Sequence, residues 1–345
     1  MDNTPPVVNI NYPSEGQYID TVPIIWINGT VTETNKGTNV PMINDTAAFN
    51  LDHFDPVTGK FAFYNITVIP DCTHSYLINF TDLAGNTGND TVTFTIDTVY
   101  PIVEITYPTD NHYFNGESTY WINGTFIEKN LNLTKPPVIN HTGFTLANWT
   151  WNSITHEGTF AFKNNTVIGD CHYYVQVTLT DLADKSASDV VYFHVDTTYP
   201  VVIIEFPEDD YYFDSDPIIW INGTFIEKNF NLTGLLAINS TDFALANWTW
   251  NATTYEGTFA FWNTTALIDD TYYVMVNLTD LAGKTGEAFV KFHVDTVWPV
   301  AEITSPTTGS PVSTYPGGTV IVNYTYTELN PKWVEIQVHN TTDII

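Results

Sequence analysis

The segment WINGTFIEKNLNLT beginning at Trp121 returns as WINGTFIEKNFNLT at Trp220, and its opening WINGT stands at Trp26. TDLAGN at Thr81 returns as TDLADK at Thr180 and TDLAGK at Thr279. Asp97, Asp196 and Asp295, in IDTVYP, VDTTYP and VDTVWP, are 99 residues apart (196−97 and 295−196). A repeat of this length is one whole domain, well beyond the roughly 20–50 residues of a solenoid unit. The 345 residues therefore divide into units at 1–98, 99–197, 198–296 and a shortened 297–345, each near the ~100 residues of a small domain. In the last unit WPVAEITSP and TVIVNYTYTELN match two strands and WVEIQVHN supplies a third. Three strands cannot close a sandwich. The expectation is a piece of a longer polypeptide, or strands donated by a neighbouring chain. MDNTPPVV at the start lacks the basic and apolar regions of a signal peptide.

Within a unit the hydrophobic period is two. Tyr272, Val274, Val276 and Leu278 alternate with Tyr273, Met275, Asn277 and Thr279, as in strands with one face on a core. Turn signals such as AGN, EGT and PxxG interrupt these runs, and no segment sustains a helical period. The expected class is all-β, a linear array of β-sandwiches. Ten Lys and Arg stand against 39 Asp and Glu, a net charge of −29. Such a polyanion has no electrostatic route to nucleic acid or to an anionic membrane. No run of about 20 apolar residues is present to span a bilayer.

A unit that opens with a strand ending in Pro, continues through a strand ending in Gly-Thr and closes with TDLAGN, a strand and DTxxP resembles the tandem Ig-like repeats of archaeal and bacterial cell-surface proteins. The resemblance covers nearly the whole chain and implies an Ig-like fold. It says less about role, since such repeats serve as spacers, adhesins, surface-layer subunits and enzyme appendages. The Cys…Trp…Cys pattern of antibody domains is absent.

Asn-x-Thr triplets are the strongest functional signal. With 33 Asn and 53 Thr in the chain, chance placement gives roughly five. The sequence holds 19: Asn28, Asn44, Asn65, Asn79, Asn89, Asn123, Asn132, Asn140, Asn148, Asn164, Asn222, Asn231, Asn239, Asn247, Asn251, Asn263, Asn277, Asn323 and Asn340. Duplication accounts for part of the excess, but not for Asn89 and Asn251, whose triplets occur in one unit only. If Ile122, Gly124 and Phe126 face the core, Asn123 and Thr125 face out. N-linked glycan is therefore expected at several of these positions, and with it export. The same parity turns Trp26, Trp121 and Trp220 outward, where an indole can stack on a first sugar or meet another subunit. Trp149 and Trp151, like Trp248 and Trp250, are expected to build core.

Acidic residues recur at the unit boundaries. In an Ig-like sandwich the second-to-third and sixth-to-seventh strand loops share the pole that receives the preceding unit's last strand. Asp97, Glu128 and Asp181 should meet at the first junction, and Asp196, Glu227 and Asp280 at the second. Converging carboxylates suit Ca²⁺, which takes six to eight or so oxygen ligands; the competing reading is turn stabilisation by Asx hydrogen bonds. The dense DxD or DxNDN linkers of calcium-stiffened arrays are missing. Cys72 and Cys171, again 99 apart (171−72), are too distant in a linear array for a disulfide, and are expected as buried free thiols or as links between chains. No HExxH, GxSxG, P-loop or GxGxxG occurs, so no catalytic residues are assigned and an enzyme is not expected. The sequence points to an extracellular structural array, part of a surface layer, filament or stalk, whose partners are other copies of itself or lattice proteins. Two alternatives stand beside it: an adhesin stalk, and non-catalytic repeats of a secreted enzyme.

Overall fold

The computed structural model describes residues 2–20, 24–214, 218–309 and 319–338. The chain forms two compact units, Met1–Thr197 and Thr198–Ile345. Unit 1 begins with β1 (Val7–Tyr12), β2 (Gln17–Ile19), β3 (Trp26–Thr32), β4 (Met42–Ile43), β5 (Phe49–Phe54), β6 (Lys60–Asn65), β7 (Thr73–Thr81) and β8 (Thr87–Ile96). The set repeats as β9 (Ile102–Tyr107), β10 (His112–Phe114), β11 (Trp121–Ile127), β12 (Val138–Ile139), β13 (Phe144–Trp151), β14 (Glu157–Asn164), β15 (Cys171–Thr180) and β16 (Ser186–Val195). Unit 2 contains β17 (Val201–Phe206), β18 (Tyr211–Phe213), β19 (Trp220–Ile226), β20 (Ala237–Ile238), β21 (Phe243–Trp250), β22 (Glu256–Asn263), β23 (Asp270–Thr279) and β24 (Thr285–Val294), then β25 (Val300–Ser305) and β26 (Asn323–Thr327).

Each set of eight makes two four-stranded sheets. In the first set the orders are β1-β3-β6-β5 and β2-β8-β7-β4, and the other two sets copy them. All pairings are antiparallel except β2 with β8, β10 with β16 and β18 with β24. The opening strand is thus divided, its first half in one sheet and its second half in the other, with a cis proline between them (Pro13, Pro108, Pro207). This is an Ig-like sandwich of eight strands. Alternation decides which side chains meet: Ile122, Phe126, Phe160, Phe162, Val175, Val177 and Phe193 are all buried in the core of the second set. Trp149 and Trp151 pack against that core half-buried.

Two expectations fail for reasons of geometry. EGT is not a turn. Gly158 lies within β14, where a Cβ would run into the Phe126 ring, and Gly124 makes the same room for Phe160. In the last unit β25 and β26 pair, but residues 331–338 form no strand, so the third strand expected at WVEIQVHN is absent among its described residues.

Candidate acidic site

The site of unit 1 is assembled from three loops. The chain leaves β8 into Asp97, whose N–H donates to the Ile19 carbonyl (3.0 Å). After β11, the Glu128 N–H donates to the His156 carbonyl (2.8 Å), and the Trp151 indole N–H donates to the Glu128 carbonyl (2.9 Å). The loop after β11 then zips onto the β15–β16 turn. Leu131 and Asp181 form an isolated antiparallel bridge, and the Leu182 N–H donates to the Asn130 carbonyl (2.9 Å). Asn130 fixes two of the carboxylates at once. Its N–H donates to Glu128 Oε1 (2.6 Å) and its amide to Asp97 Oδ2 (2.9 Å).

The three carboxylates that the sequence placed together do meet: oxygens of Asp97, Glu128 and Asp181 lie within 4.8 Å of one another, and all three residues are buried. Asp181 is fully buried. Its Oδ1 accepts from the N–H groups of Ala183 (2.8 Å) and Lys185 (2.9 Å), whereas its buried Oδ2 has no hydrogen-bond partner. Burial pushes Glu128 up from 4.5 to about 7; the Asn130 hydrogen bond opposes this, and the charges of Asp97 and Asp181 add to it. Asp181 is also raised, by burial first and by Asp97, against the hydrogen bond from Lys185. An unpaired buried carboxylate oxygen is costly unless something cationic or acidic meets it. Among the described residues no hydrogen bond reaches it, although the charge of Lys185 lowers the Asp181 carboxyl. Lys185 instead lies over the Tyr100 ring, 4.6 Å from its centroid.

Asp196 is buried at the end of β16. Within unit 2, Glu227 and Asp280 are buried at the places equivalent to Glu128 and Asp181, with the Asn229 N–H on Glu227 Oε1 (2.6 Å) and the Lys284 N–H on Asp280 Oδ1 (2.8 Å).

A further triad was missed. Asp2, Glu33 and Asp82 bring ligand oxygens within 4.8 Å of one another at the start of the chain, with Asp2 and Glu33 half-buried. Asn35 plays the part of Asn130, donating its amide to Asp2 Oδ2 (2.7 Å) and its N–H to Glu33 Oε1 (2.7 Å). In unit 2, Asn330 does the same to Asp295 (3.0 Å) and Glu328 (2.8 Å). The signal was available: Glu-x-Asn follows a D-x-x-x-P run at Glu33, Glu128, Glu227 and Glu328.

The sequon asparagines divide by burial. Asn44, Asn89, Asn140, Asn148, Asn239, Asn247, Asn251 and Asn323 are exposed, and Asn28, Asn79, Asn123, Asn132, Asn222, Asn231 and Asn277 are half-buried. Asn65, Asn164 and Asn263 are structural. Asn164 Oδ1 accepts the Tyr120 N–H (2.8 Å) and its amide donates to the Thr166 carbonyl (3.2 Å), and Asn65 and Asn263 make the same pair of bonds. Asn340 lies outside the described residues. Trp121 and Trp220 are exposed and Trp26 is half-buried, as parity required.

Both cysteines are exposed, contrary to expectation. They have core-facing parity but lie past the end of the packed layer. Cys72 Sγ is 3.2 Å from His74 Nε2, which is also 2.8 Å from the Pro70 carbonyl. A proton on that nitrogen bonds the carbonyl, which leaves it no lone pair to deprotonate the thiol. Among the described residues no side chains adopt a catalytic arrangement, and no helix is long and apolar enough to cross a membrane.

No family model and no curated protein matches the chain. Among solved structures it is similar to a three-Ig segment of titin, domains I67-I69 in an E-to-A mutated variant, at 9% identity and a TM-score of 0.47, covering 84% of this chain and 98% of that one. It is also similar to the EC3-6 cis-dimer structure of protocadherin gammaB7 (12% identity, TM-score 0.37, 98% and 82% covered). Fibronectin(III)-like modules of Clostridium thermocellum CbhA match at 15% identity and a TM-score of 0.32, covering 55% of this chain and 94% of theirs. With likenesses this distant, the Ig-like assignment rests on strand order and pairing.

Proposed function

We propose that this chain is an extracellular structural protein, an Ig-like array stiffened by Ca²⁺ at its acidic junctions and carrying N-linked glycan on its exposed sequons. The observation that carries the reading is the partnerless, buried Asp181 Oδ2 beside Glu128 and Asp97. A divalent cation there would satisfy the orphan oxygen and offset both the burial and the neighbouring charges that raise Glu128. The three carboxylates would supply part of the oxygen shell, with carbonyls and water for the rest; Ca²⁺ tolerates such irregular sites better than Mg²⁺ does. Because Asp97 ends one set of strands while Glu128 and Asp181 belong to the next, the cation would also fix their mutual angle. Part of a surface layer, filament or stalk is the setting that suits a stiff, acidic, repeating chain.

The test is thermal unfolding and small-angle scattering of the full chain with calcium and with chelator. A higher melting temperature and a narrower distribution of dimensions in calcium support the reading. Equal values in both conditions leave these carboxylates as turn residues. Glycopeptide analysis of native material addresses the coat. Glycan is expected at exposed sites such as Asn148 and Asn247 and absent from Asn65, Asn164 and Asn263; bare peptides at every exposed sequon would remove it.

A further inference from the structure

In unit 2 the outer face of the sheet β17-β19-β22-β21 brings two exposed indoles beside two Asn-x-Thr asparagines. Trp220 on β19 stands directly opposite Trp262 on β22, and the next outward pair is Asn222 opposite Ala260. On the other side of β22, Ala244 faces Trp262 and Asn247 faces Ala260. Ala260 is thus a low floor between two amides, with Trp262 standing diagonally from both. Diagonal neighbours on one face are about 7–8 Å apart or less, within reach of aromatic and long side chains. Trp220 and Trp262 keep 40% and 39% of their surface exposed.

The two amides differ. Asn222 is half-buried on a central strand, and its Oδ1 is turned inward without a partner, so the amide nitrogen is the end at the surface. Asn247 is exposed on the edge strand β21, at a shift of register. Of the carboxylates on this side, Glu205 takes the Thr224 hydroxyl (3.3 Å) and Glu256 lies farther along, opposite Ile226. The other sets keep the floor but not the two exposed indoles. In the second set Asn123 and Asn148 flank Ala161, but Lys163 faces Trp121. In the first, Trp26 leans on Tyr64 (5.7 Å), and His53 takes the place of the second asparagine.

We infer that the first sugars of a glycan on Asn247 lie back over Ala260 and stack on Trp262 and Trp220, so that the chain's own carbohydrate covers this face. The inference rests on the glycan reading above and adds where one glycan lies. A pyranose ring carries C–H groups on its face and hydroxyls at its rim. The C–H face suits the electron-rich face of an indole, and a rim hydroxyl can accept from the outward Asn222 amide. The argument for a tethered sugar is one of strength. Two rings and one amide are a small contact, and a free saccharide would give up its translational freedom to make it. A sugar already linked to Asn247 meets the same rings at the high effective concentration of a short tether, so weak stacking suffices. A protein partner would have to dock across two glycan acceptors.

Hydrogen exchange of the β19 and β22 peptides, in the full chain from its native host, decides the matter. Asn247→Gln removes the glycan and should speed exchange there about three- to tenfold, as for the loss of an aromatic contact. The same glycan removal is then repeated in Trp262→Tyr and Trp262→Lys, at equal occupancy of Asn247 beforehand. Both replacements are residues that the fold already accepts at this position, as Tyr64 and Lys163. With a ring kept, in Trp262→Tyr, the acceleration should persist; in Trp262→Lys it should fall below about twofold. An acceleration as large in Trp262→Lys as in Trp262→Tyr, or none in the unsubstituted chain, overturns the inference. So does an Asn247 peptide that is bare while Asn148 is occupied, which leaves the glycan coat standing. Bare peptides at every exposed sequon remove both.

Discussion

Asp82 and Asp181 occupy the same place in successive copies of one turn, yet their carboxyls shift in opposite directions. Burial pushes both up. At Asp82 the Asn86 side-chain and backbone donors, with those of Ala84 and Gly85, outweigh it, and the carboxyl falls below its ordinary value. At Asp181 burial prevails and the carboxyl rises. The charge of Asp97 adds to the rise at Asp181, and one residue separates the two sites further. Asn86 donates its amide to Asp82 Oδ2 (2.9 Å) and to the Asp2 carbonyl (3.1 Å). Its counterpart Lys185 turns away onto Tyr100, and the corresponding oxygen is left bare. The aromatic is paired with the lysine: where Lys185 and Lys284 stand, Tyr100 and Tyr199 precede the proline, and where Asn86 stands Pro5 does. The lesson is that a carboxylate triad need not be a cation site. An internal amide can take the cation's place.

The largest test of that contrast is Asp181→Asn. An amide keeps the Oδ1 contacts while removing the buried charge, so stability in chelator should rise by about 1–2 kcal/mol. The calcium response of unit 1, about 2.7 kcal/mol at a hundredfold excess over Kd, should disappear. Melting in chelator and in calcium reads both; an undiminished response in the variant would separate calcium from this site.

A pH series comes next. Glu128 holds its proton to about 7 in the folded chain against 4.5 unfolded. Its contribution is therefore fully present below 4.5 and is lost as pH rises to about 7. In chelator the melting temperature should fall over that window, and Glu128→Gln should flatten the fall. Saturating calcium should flatten it too, since the cation binds the ionised form. A melting temperature that is level across this range would argue against a buried, proton-holding Glu128.

Asn86→Ala reverses the comparison. Freed of its amide partner, Asp82 Oδ2 becomes the counterpart of the bare oxygen on Asp181, at a cost of about 1 kcal/mol in chelator. Calcium should restore part of that stability, and a second binding event should enter the calorimetric titration. Smallest is Lys185→Gln, which removes the ring contact to Tyr100 for about 0.5–1 kcal/mol. It also offers Asp181 an amide of its own, so calcium affinity should decline rather than rise.

Much of this was legible in the sequence because repetition acts as an internal control. The 99-residue period matches the recurrence of the eight-strand set, and parity turned Asn123 outward and Ile122 inward. The Glu128 and Asp181 loops could be placed at one pole. What escaped did so for physical reasons. The Asp2 triad was hidden because Pro5 replaces the aromatic of the linker motif, so the D-x-x-x-P frame went unrecognised. The division of the first strand between two sheets leaves no mark but a proline. Gly158 was ambiguous, since glycine serves equally as a turn residue and as a gap beneath a Phe ring. Asn164 carries the same triplet as Asn148, and no triplet records whether its amide is already engaged. Cys171 has the parity of a core residue, but parity does not say where the core stops.

The parallel pairing of β10 with β16 has a mechanical consequence. β16 is the last strand of its set and β10 the second, loaded through β9, and the two are joined at His112–Phe193, Tyr113–His194 and Phe114–Val195. Tension applied along the polypeptide pulls β10 toward its own start and β16 toward its own end. Because the two run the same way, they are loaded in shear, and every bond between them must yield together rather than one after another. Forced rupture is governed by the unfolding rate, and a short seam loaded all at once sets a high barrier. Extending the chain through β10 and β16 must therefore shear this seam as a whole.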